Sequence, residues 1–262
     1  MDIHTPTLAE RRDLNEKFVL SLISSVIFVM LSASAFGASD LEATDRDKSV
    51  TSPAATRPGY FTKWVTTGNY YGIGGTLVIP SEATAKNGNV INFQMGLADK
   101  VEGGISYSDA GWKVFLNTEY GACLSNNTEA ACSKYWRSIP LTAQPQAGDQ
   151  LNLKIVNNGN GTVSYYLNGS TDFNGYSWAN MPVFGRLSVT TPVKILHIAS
   201  DLGGTTKYKN AEWKNVVLRA NASGSTYTNW TTSVGKTAHH QNSSYFTILS
   251  SIDPLKTSFQ AP

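Results

Sequence analysis

The sequence has little charge and few of the features that mark nucleic-acid or metal proteins. Only 15% of the 262 residues are charged, the net charge is +2, and lysine and arginine form no runs. Nucleic-acid binding usually requires a concentrated basic patch, so we exclude nucleic acid as a partner. The chain also lacks an Asp-x-Asp-x-Asp-Gly loop and a histidine cluster with a third ligand. We therefore expect no metal and no cofactor.

Cysteine is almost absent as well. Cys123 and Cys132 are the only two, and they have neither CxxC spacing nor the further ligands that a zinc or redox site would need. In an oxidising compartment the pair would close a short loop, which stabilises a fold by roughly 2.5–3 kcal/mol. We predict a disulfide between them.

The longest uncharged stretch lies near the N-terminus. Three basic residues precede an apolar run at 18–31, and small residues follow it. This order predicts a secretory signal peptide over 1–35, cleaved after Ala35, and hence an extracellular or periplasmic protein without membrane contact after cleavage. An uncleaved anchor is the alternative, because no charge occurs from Phe18 until Asp40 and about 20 apolar residues span a bilayer.

The rest of the chain lacks a helical pattern and carries a strand pattern instead. No stretch sustains an apolar period of 3.6 over three turns. Within 90–97, by contrast, large apolar residues recur at every second position, at Ile91, Phe93, Met95 and Leu97. Leu151, Leu153 and Ile155 alternate in the same way before an Asn/Gly-rich turn, and a second alternating run follows. Residues 149–169 are therefore predicted to form a β-hairpin.

The strand lengths and turn spacing predict one domain of two packed sheets. We assign the fold as all-β, a two-sheet antiparallel sandwich of the jelly-roll type. A linker is placed at 36–58 and the sandwich at 59–220. The remaining residues, 221–262, are predicted to be a C-terminal extension that packs on the sandwich or trails from it.

Two parts of the chain resemble known families. The segments 149–156 and 161–169 resemble a hairpin common in concanavalin A-like lectin/glucanase sandwiches, and the segments 102–107 and 111–117 are similar to secreted YrpD-type proteins. The resemblance spans about 60–220 and implies a concanavalin A-like sandwich. That fold hosts lectins, glycosidases, lyases and glutamic peptidases, so the resemblance implies no single activity.

A sandwich sheet buries one face and leaves the opposite face for a partner. Flat aromatic rings suit the faces of sugar rings, so exposed tryptophans beside polar strand residues would favour a glycan. We therefore predict a secreted module that binds polysaccharide or another cell-surface glycan through an open sheet face. The predicted binding residues are Asn92, Gln94, Glu102 and Lys113 on the sheet, with Trp136 and Trp178 at its rim.

A hydrolase or lyase of the same fold is the alternative function. Retaining glycosidases need two carboxylates about 5–5.5 Å apart, and the acids of the strand region, Glu102, Glu119 and Glu212, are scattered singly. A glutamic peptidase needs a carboxylate that activates water and an amide that stabilises the oxyanion. Glu102 as general acid/base and Gln94 as its helper would meet this requirement if their strands are neighbours.

The histidines are predicted to have no role in the site. His197 lies within an apolar run and is expected in the core. His239 and His240 are adjacent, so on a strand they would face opposite sides, and we expect both to be exposed to solvent.

Overall fold

The computed structural model describes four stretches of the chain. Three predictions concern residues outside those described and stay predictions. They are the signal peptide at 1–35, the linker at 36–58 and the disulfide between Cys123 and Cys132. No helix within the described stretches is long and apolar enough to cross a membrane. The described stretches are 59–118, 136–201, 203–221 and 226–262.

Strands account for nearly all regular structure in the described stretches, where the one helical element is a short 3-10 turn at Ser243–Tyr245. The strands are, in chain order, β1 (Gly59–Thr66), β2 (Gly72–Val78), β3 (Glu82–Thr84), β4 (Ile91–Leu97), β5 (Val101–Ser108), β6 (Gly111–Asn117), β7 (Trp136–Pro140), β8 (Gln150–Asn157), β9 (Thr162–Leu167), β10 (Asp172–Phe173), β11 (Tyr176–Ser177), β12 (Met181–Pro182), β13 (Val193–Ser200), β14 (Lys207–Arg219), β15 (Tyr227–Asn229), β16 (Lys236–Gln241), β17 (Phe246–Ser251) and β18 (Leu255–Gln260).

These strands form two antiparallel sheets that pack face to face. Sheet A has the order β16-β1-β13-β4-β5-β6-β7, and sheet B has the order β12-β9-β8-β2-β14-β18-β17, with β3 and β15 also pairing with β14. A small hairpin, β10-β11, stands apart. The prediction of an all-β, two-sheet antiparallel sandwich is confirmed.

Side-chain alternation builds the core between the sheets. Ile91, Phe93, Met95 and Leu97 of β4 all point to the core and are fully buried. The predicted hairpin at 149–169 forms from β8 and β9, which pair antiparallel across an Asn/Gly turn. Large rings from sheet B fill the opposite side of the core.

The residues after 220 contribute strands to both sheets. β16 pairs with β1 at the edge of sheet A, and β18 pairs with β14 inside sheet B. The rings of Phe246 and Phe259 lie 4.9 Å apart, and Phe259 stacks on Tyr208 of β14 at 6.1 Å. The segment predicted as an extension at 221–262 therefore supplies part of the core.

Candidate functional site

The strand register brings the predicted site residues to one face of sheet A. Gln94 on β4 lies opposite Gly104 on β5, and Glu102 lies two residues before Gly104 on the same face. Such diagonal neighbours have side chains that start roughly 7–8 Å apart, within reach of long side chains. Asn92 on β4 and Lys113 on β6 lie on this outer face too, because both are register partners of Ser106 on β5.

A glycine lets a lysine from a third strand reach the carboxylate. Gly96 on β4 lies opposite Glu102 on β5 on one side and opposite Lys194 on β13 on the other. A Cβ on Gly96 would lie 2.9 Å from Cε of Lys194, so the lysine stem occupies the space that a larger residue would fill. The Lys194 Nζ atom lies 2.5 Å from Glu102 Oε1 and 3.1 Å from Asp99 Oδ1.

The two central charges of this group are buried together. The side chains of Lys194 and Glu102 are 1% and 2% exposed, whereas that of Asp99 is 72% exposed. An isolated buried charge is costly, so the ammonium and the carboxylate offset each other. Burial alone would raise the pKa of Asp99, but the Lys194 ammonium and its hydrogen bond outweigh that effect and hold the pKa below its ordinary value.

Two amides on the same face are buried without hydrogen-bond partners. Both amide atoms of Gln94, and the Oδ1 atom of Asn92, have none among the described residues. More than nine in ten buried polar groups are paired, and leaving one unpaired costs about 1–3 kcal/mol. These amide atoms therefore keep hydrogen-bonding capacity that a bound molecule could use.

The centre of the outer face is closed, and the prediction of an open binding face is wrong there. Gln94 is 0% exposed and Glu102 1% exposed. The apolar residues Phe115, Leu196 and Ile198 share this face and are buried too, so the face is largely apolar here and its burial is favourable. Lys113, nearer the sheet edge, is half-buried.

The tryptophans do not form the predicted rim. Trp178 is fully buried and stacks on Phe173 at 5.0 Å, while the Arg137 guanidinium carbon lies 5.1 Å from its ring centroid. Its ring faces are occupied by the chain itself, so its assignment as an exposed stacking residue is wrong. Trp136 begins β7 opposite Asn117, its side chain is not among those described, and its role stays a prediction.

The sequence analysis did not predict two residues of this group, Lys194 and Asp99. The Lys194 ammonium contacts the carboxylates of both Glu102 and Asp99. Lys194 follows Val193 at the start of an almost wholly apolar strand, Val193–Ser200, and all residues of that strand are buried. A strand that is apolar on both faces is typically covered on both, so a lysine inside it needs a buried partner. That signal points to Lys194, whereas Asp99 lies in a turn and has no comparable signature.

The histidines lie where the sequence predicted them. His197 is fully buried, with its Nδ1 atom 2.7 Å from the Thr257 hydroxyl, whereas His239 and His240 are exposed. Burial lowers the pKa of His197 to about 3. Within the four described stretches, no three His, Cys, Asp or Glu side chains are arranged to hold a metal ion.

Comparison with known proteins finds similarity in fold only. No family model matches the chain, so the resemblance to YrpD-type proteins stays an expectation, and no curated protein matches it. Two crystal structures of scytalido-glutamic peptidase, one with a peptide-based transition state analog and one with a transition state analog inhibitor, are 9% and 7% identical, with TM-scores of 0.46 and 0.45. They cover 78% and 77% of this chain and 100% and 98% of theirs.

A third similar structure is SCP-B, a member of the eqolisin family of peptidases, in complex with the tripeptide Ala-Ile-His. It is 9% identical with a TM-score of 0.41, and the match covers 78% of this chain and 98% of that one. Similarity at this level leaves the activity of the present chain to be argued from its own side chains.

Proposed function

We propose that this chain is a hydrolase of peptide or related amide bonds, with Glu102 as the general base and Gln94 as the oxyanion donor. The observation that carries the proposal is the buried, unpartnered amide of Gln94 on the strand next to the Glu102 carboxylate, among the residues that the structure describes. Amide hydrolysis needs these two groups, a base for water and a donor for the developing negative charge.

The proposed reaction uses the carboxylate twice. Glu102 takes a proton from water, and the water oxygen attacks the carbonyl carbon of the substrate. The carbonyl oxygen becomes an oxyanion, to which the Gln94 amide N–H donates a hydrogen bond. The protonated Glu102 then gives its proton to the substrate nitrogen, the C–N bond breaks, and a new carboxyl group and an amine are released.

Lys194 acts in this scheme as a positioning residue. Its ammonium contacts Oε1 of Glu102, so the other carboxylate oxygen is left to accept the proton from water. Its second contact, with Asp99, holds the ammonium from the other side. Asn92, two residues before Gln94 on the same face, adds an amide oxygen that would accept a hydrogen bond from the substrate backbone.

Glycan cleavage is less well supported at this face. Glu102 and Asp99 are the two carboxylates brought close together, but both contact the same Lys194 nitrogen. An ammonium therefore lies between the oxygens that would need to flank a sugar. The predicted polysaccharide platform also lacks one of its two stacking rings, because Trp178 is fully buried.

Burial of the pair restricts the substrates that we expect. Gln94 and Glu102 are 0% and 1% exposed, so the surface of a folded protein could not contact them. We therefore propose unfolded or short peptides as substrates. If the predicted signal peptide at 1–35 is used, the reaction takes place outside the cytoplasm.

The test is peptide hydrolysis by the purified protein and three variants. A library of short fluorogenic peptides is incubated from pH 3 to pH 8, and release of new amines is measured. We expect Glu102→Gln to lower kcat by at least a hundredfold and Gln94→Ala to lower it by about a hundredfold. The matched control is Glu212→Gln, which removes another strand carboxylate paired with a lysine, Lys256.

The melting temperature separates a catalytic from a structural role. Lys194 keeps Asp99 as a counterion in Glu102→Gln, so that variant should fold. Wild-type protein that releases no amine from any peptide, or a folded Glu102→Gln that cleaves like wild type, would remove this proposal.

A further inference from the structure

Each sheet of the sandwich ends in two edge strands among the strands described. Sheet A ends at β16 and β7, and sheet B ends at β12 and β17. An edge strand presents a row of unpaired backbone N–H and C=O groups, which a strand from another chain can bind. Proteins usually block such edges with charged side chains, prolines or very short strands. The four edges of this molecule can therefore be compared by the protection that each carries.

Three of the four edges are protected in this way. β12 consists of two residues and the second is Pro182, and β7 ends in Pro140. β16 carries Lys236 and two exposed histidines. Proline has no N–H to donate, and a lysine at a new strand junction would lose water without gaining a partner. These three edges are thus poor templates for a further strand.

The fourth edge, β17, carries none of these protective residues. Its sequence, Phe-Thr-Ile-Leu-Ser-Ser at 246–251, has no charge, no proline and no glycine. Thr247, Ile248 and Leu249 are exposed one after another, with Ile248 40% and Leu249 51% exposed. Short uncharged segments of high β-propensity pair readily with other strands. β17 is therefore an open template whose apolar side chains are in contact with water.

A β-bulge limits the regular part of this edge to its first half. The register of β17 with β18 is regular from Phe246 to Ile248 and shifts between Ile248 and Ser250. Bulges bend the strand that carries them and interrupt its pairing. A partner strand can therefore follow the edge over residues 246–248 and reach Leu249 at the bend.

The regular part of β17 is complementary to a second copy of itself. In antiparallel pairing about a two-fold axis at Thr247, each threonine lies opposite its own copy, and Phe246 lies opposite Ile248 of the second copy. Phe246 and Ile248 are two residues apart, so they lie on the same face of the strand. Thr–Thr pairs, and pairs of an aromatic with a β-branched residue, are among the cross-strand pairs that stabilise sheets.

We propose that two copies of this chain dimerise by antiparallel pairing of β17 over residues 246–248. The two B sheets then form one continuous sheet, and Ile248 and Leu249 are covered. Both copies use the same patch, so the assembly stops at two. The junction is short, so we expect a Kd in the micromolar range or weaker. The dimer edge belongs to sheet B, whereas the Glu102 cluster belongs to sheet A.

An uncharged edge favours a copy of this chain over a charged partner. β17 has no charged residue that could pair with the charges of a partner strand, and charges brought into the junction would lose water without compensation. The net charge of the chain is only +2, so two copies repel each other little.

Sedimentation equilibrium of the purified protein, from micromolar to millimolar concentration, tests the proposal. We expect a reversible equilibrium between monomer and dimer. We expect no larger species, because the other three edges are protected and the two-fold pairing uses up β17 in both copies.

Charged substitutions assign the dimer to β17. Ile248→Lys and Leu249→Lys should each raise the Kd of dimerisation at least tenfold, because a lysine on an edge strand opposes pairing. The matched control is Val189→Lys, which places the same charge on an apolar side chain that is 49% exposed and lies outside the strands. This control should dimerise like wild type.

A cysteine at the two-fold axis tests the register. In the proposed dimer the two Thr247 Cα atoms lie about 4.5–5.5 Å apart, a distance that a disulfide spans. Mild oxidation of Thr247→Cys with diamide should therefore link two chains, and mass spectrometry of the peptides should find the 247–247 bond. Thr237→Cys is the control, because Thr237 is an exposed threonine on the protected edge β16.

Four results would overturn the assignment. These are a wild-type protein that stays monomeric up to millimolar concentration, oligomers larger than a dimer, folded Ile248→Lys and Leu249→Lys proteins that dimerise like wild type, and oxidised Thr237→Cys that links as completely as Thr247→Cys. The first result would leave the β17 edge to a strand of another protein. Ile248 and Leu249 are exposed, so both lysine variants should fold, and circular dichroism verifies that they do.

Discussion

At the scale of single residues, burial determines the charge state of His197. Its ring is fully enclosed, its Nδ1 atom contacts the Thr257 hydroxyl, and Tyr208 bonds to the same hydroxyl at 2.7 Å. Its other ring nitrogen has no partner in the described part of the chain. Burial lowers the pKa of His197 to about 3, so the imidazole is neutral at any ordinary pH.

This shift predicts a loss of stability in mild acid. Between the unfolded-state pKa of about 6.5 and the folded-state pKa of about 3, the unfolded chain binds a proton that the folded chain does not. The free energy of unfolding should therefore fall as the pH falls through this window. The contribution of His197 is roughly 1 kcal/mol per pH unit.

Urea unfolding of wild type and His197→Gln at pH 7, 6 and 5 measures this contribution. The glutamine does not titrate, so the difference in unfolding free energy between the two proteins should change as the pH is lowered. A difference that is the same at all three pH values would mean that His197 titrates alike in both states.

At the scale of the strand, Gly104 controls how closely β5 approaches β4. A Cβ on this residue would lie 2.1 Å from the Phe93 carbonyl oxygen and 2.7 Å from Cα of Gln94. Both distances are shorter than the contacts that Cβ atoms make in proteins, so any larger residue at this position must push the strands apart. The same close approach holds Gln94 next to the strand that carries Glu102.

We expect Gly104→Ala to lower the free energy of unfolding by about 1–3 kcal/mol, because backbone atoms rather than a flexible side chain oppose the new methyl group. The proposed hydrolase activity should fall with it. Gly59→Ala is the control, since no atom lies within 4 Å of a Cβ at that position. Thermal and urea unfolding of both variants provide the comparison, and a Gly104→Ala protein as stable as Gly59→Ala would contradict it.

Strand patterns explain which features the sequence predicts and which it does not. The alternation within β4 and the hairpin of β8 and β9 depend on residues close together in the chain, so local patterning predicts both. The approach of Lys194 to Glu102 depends on β13 pairing with β4, which is distant in the chain and leaves no local pattern. The same pairing brings Leu196 and Ile198 onto the outer face, which is therefore apolar and buried where the alternation predicts an open polar face.

At the scale of the whole molecule, the sandwich is completed by its last forty residues. They supply β16 to sheet A and β15, β17 and β18 to sheet B. Trp230, Leu255 and Phe259 from this segment are buried in the core. The two sheets therefore depend on chain regions from both ends of the described sequence.

Truncation after Ala220 should abolish cooperative folding. It would expose one edge of β1 and of β14 and remove several large core side chains, at a cost of a few kcal/mol for each large side chain. Thermal melting by circular dichroism and size-exclusion chromatography would detect the change. A truncated protein that melts cooperatively within a few degrees of the full chain would show that this segment is only an attachment.

The two outer faces of the molecule have different characters. Sheet A encloses buried amides and a lysine-paired carboxylate, whereas the outer face of sheet B carries the half-buried Lys154 with its ammonium over the Tyr166 ring.

The central claim is that Glu102 activates water for attack on an amide bond, and peptide cleavage in ¹⁸O-labelled water tests it most directly. Mass spectrometry of the products should find one ¹⁸O atom in each newly formed carboxyl group with wild-type protein and with Glu212→Gln, and no products with folded Glu102→Gln. Labelled products from Glu102→Gln at the wild-type rate, or no products from wild type, would contradict the account.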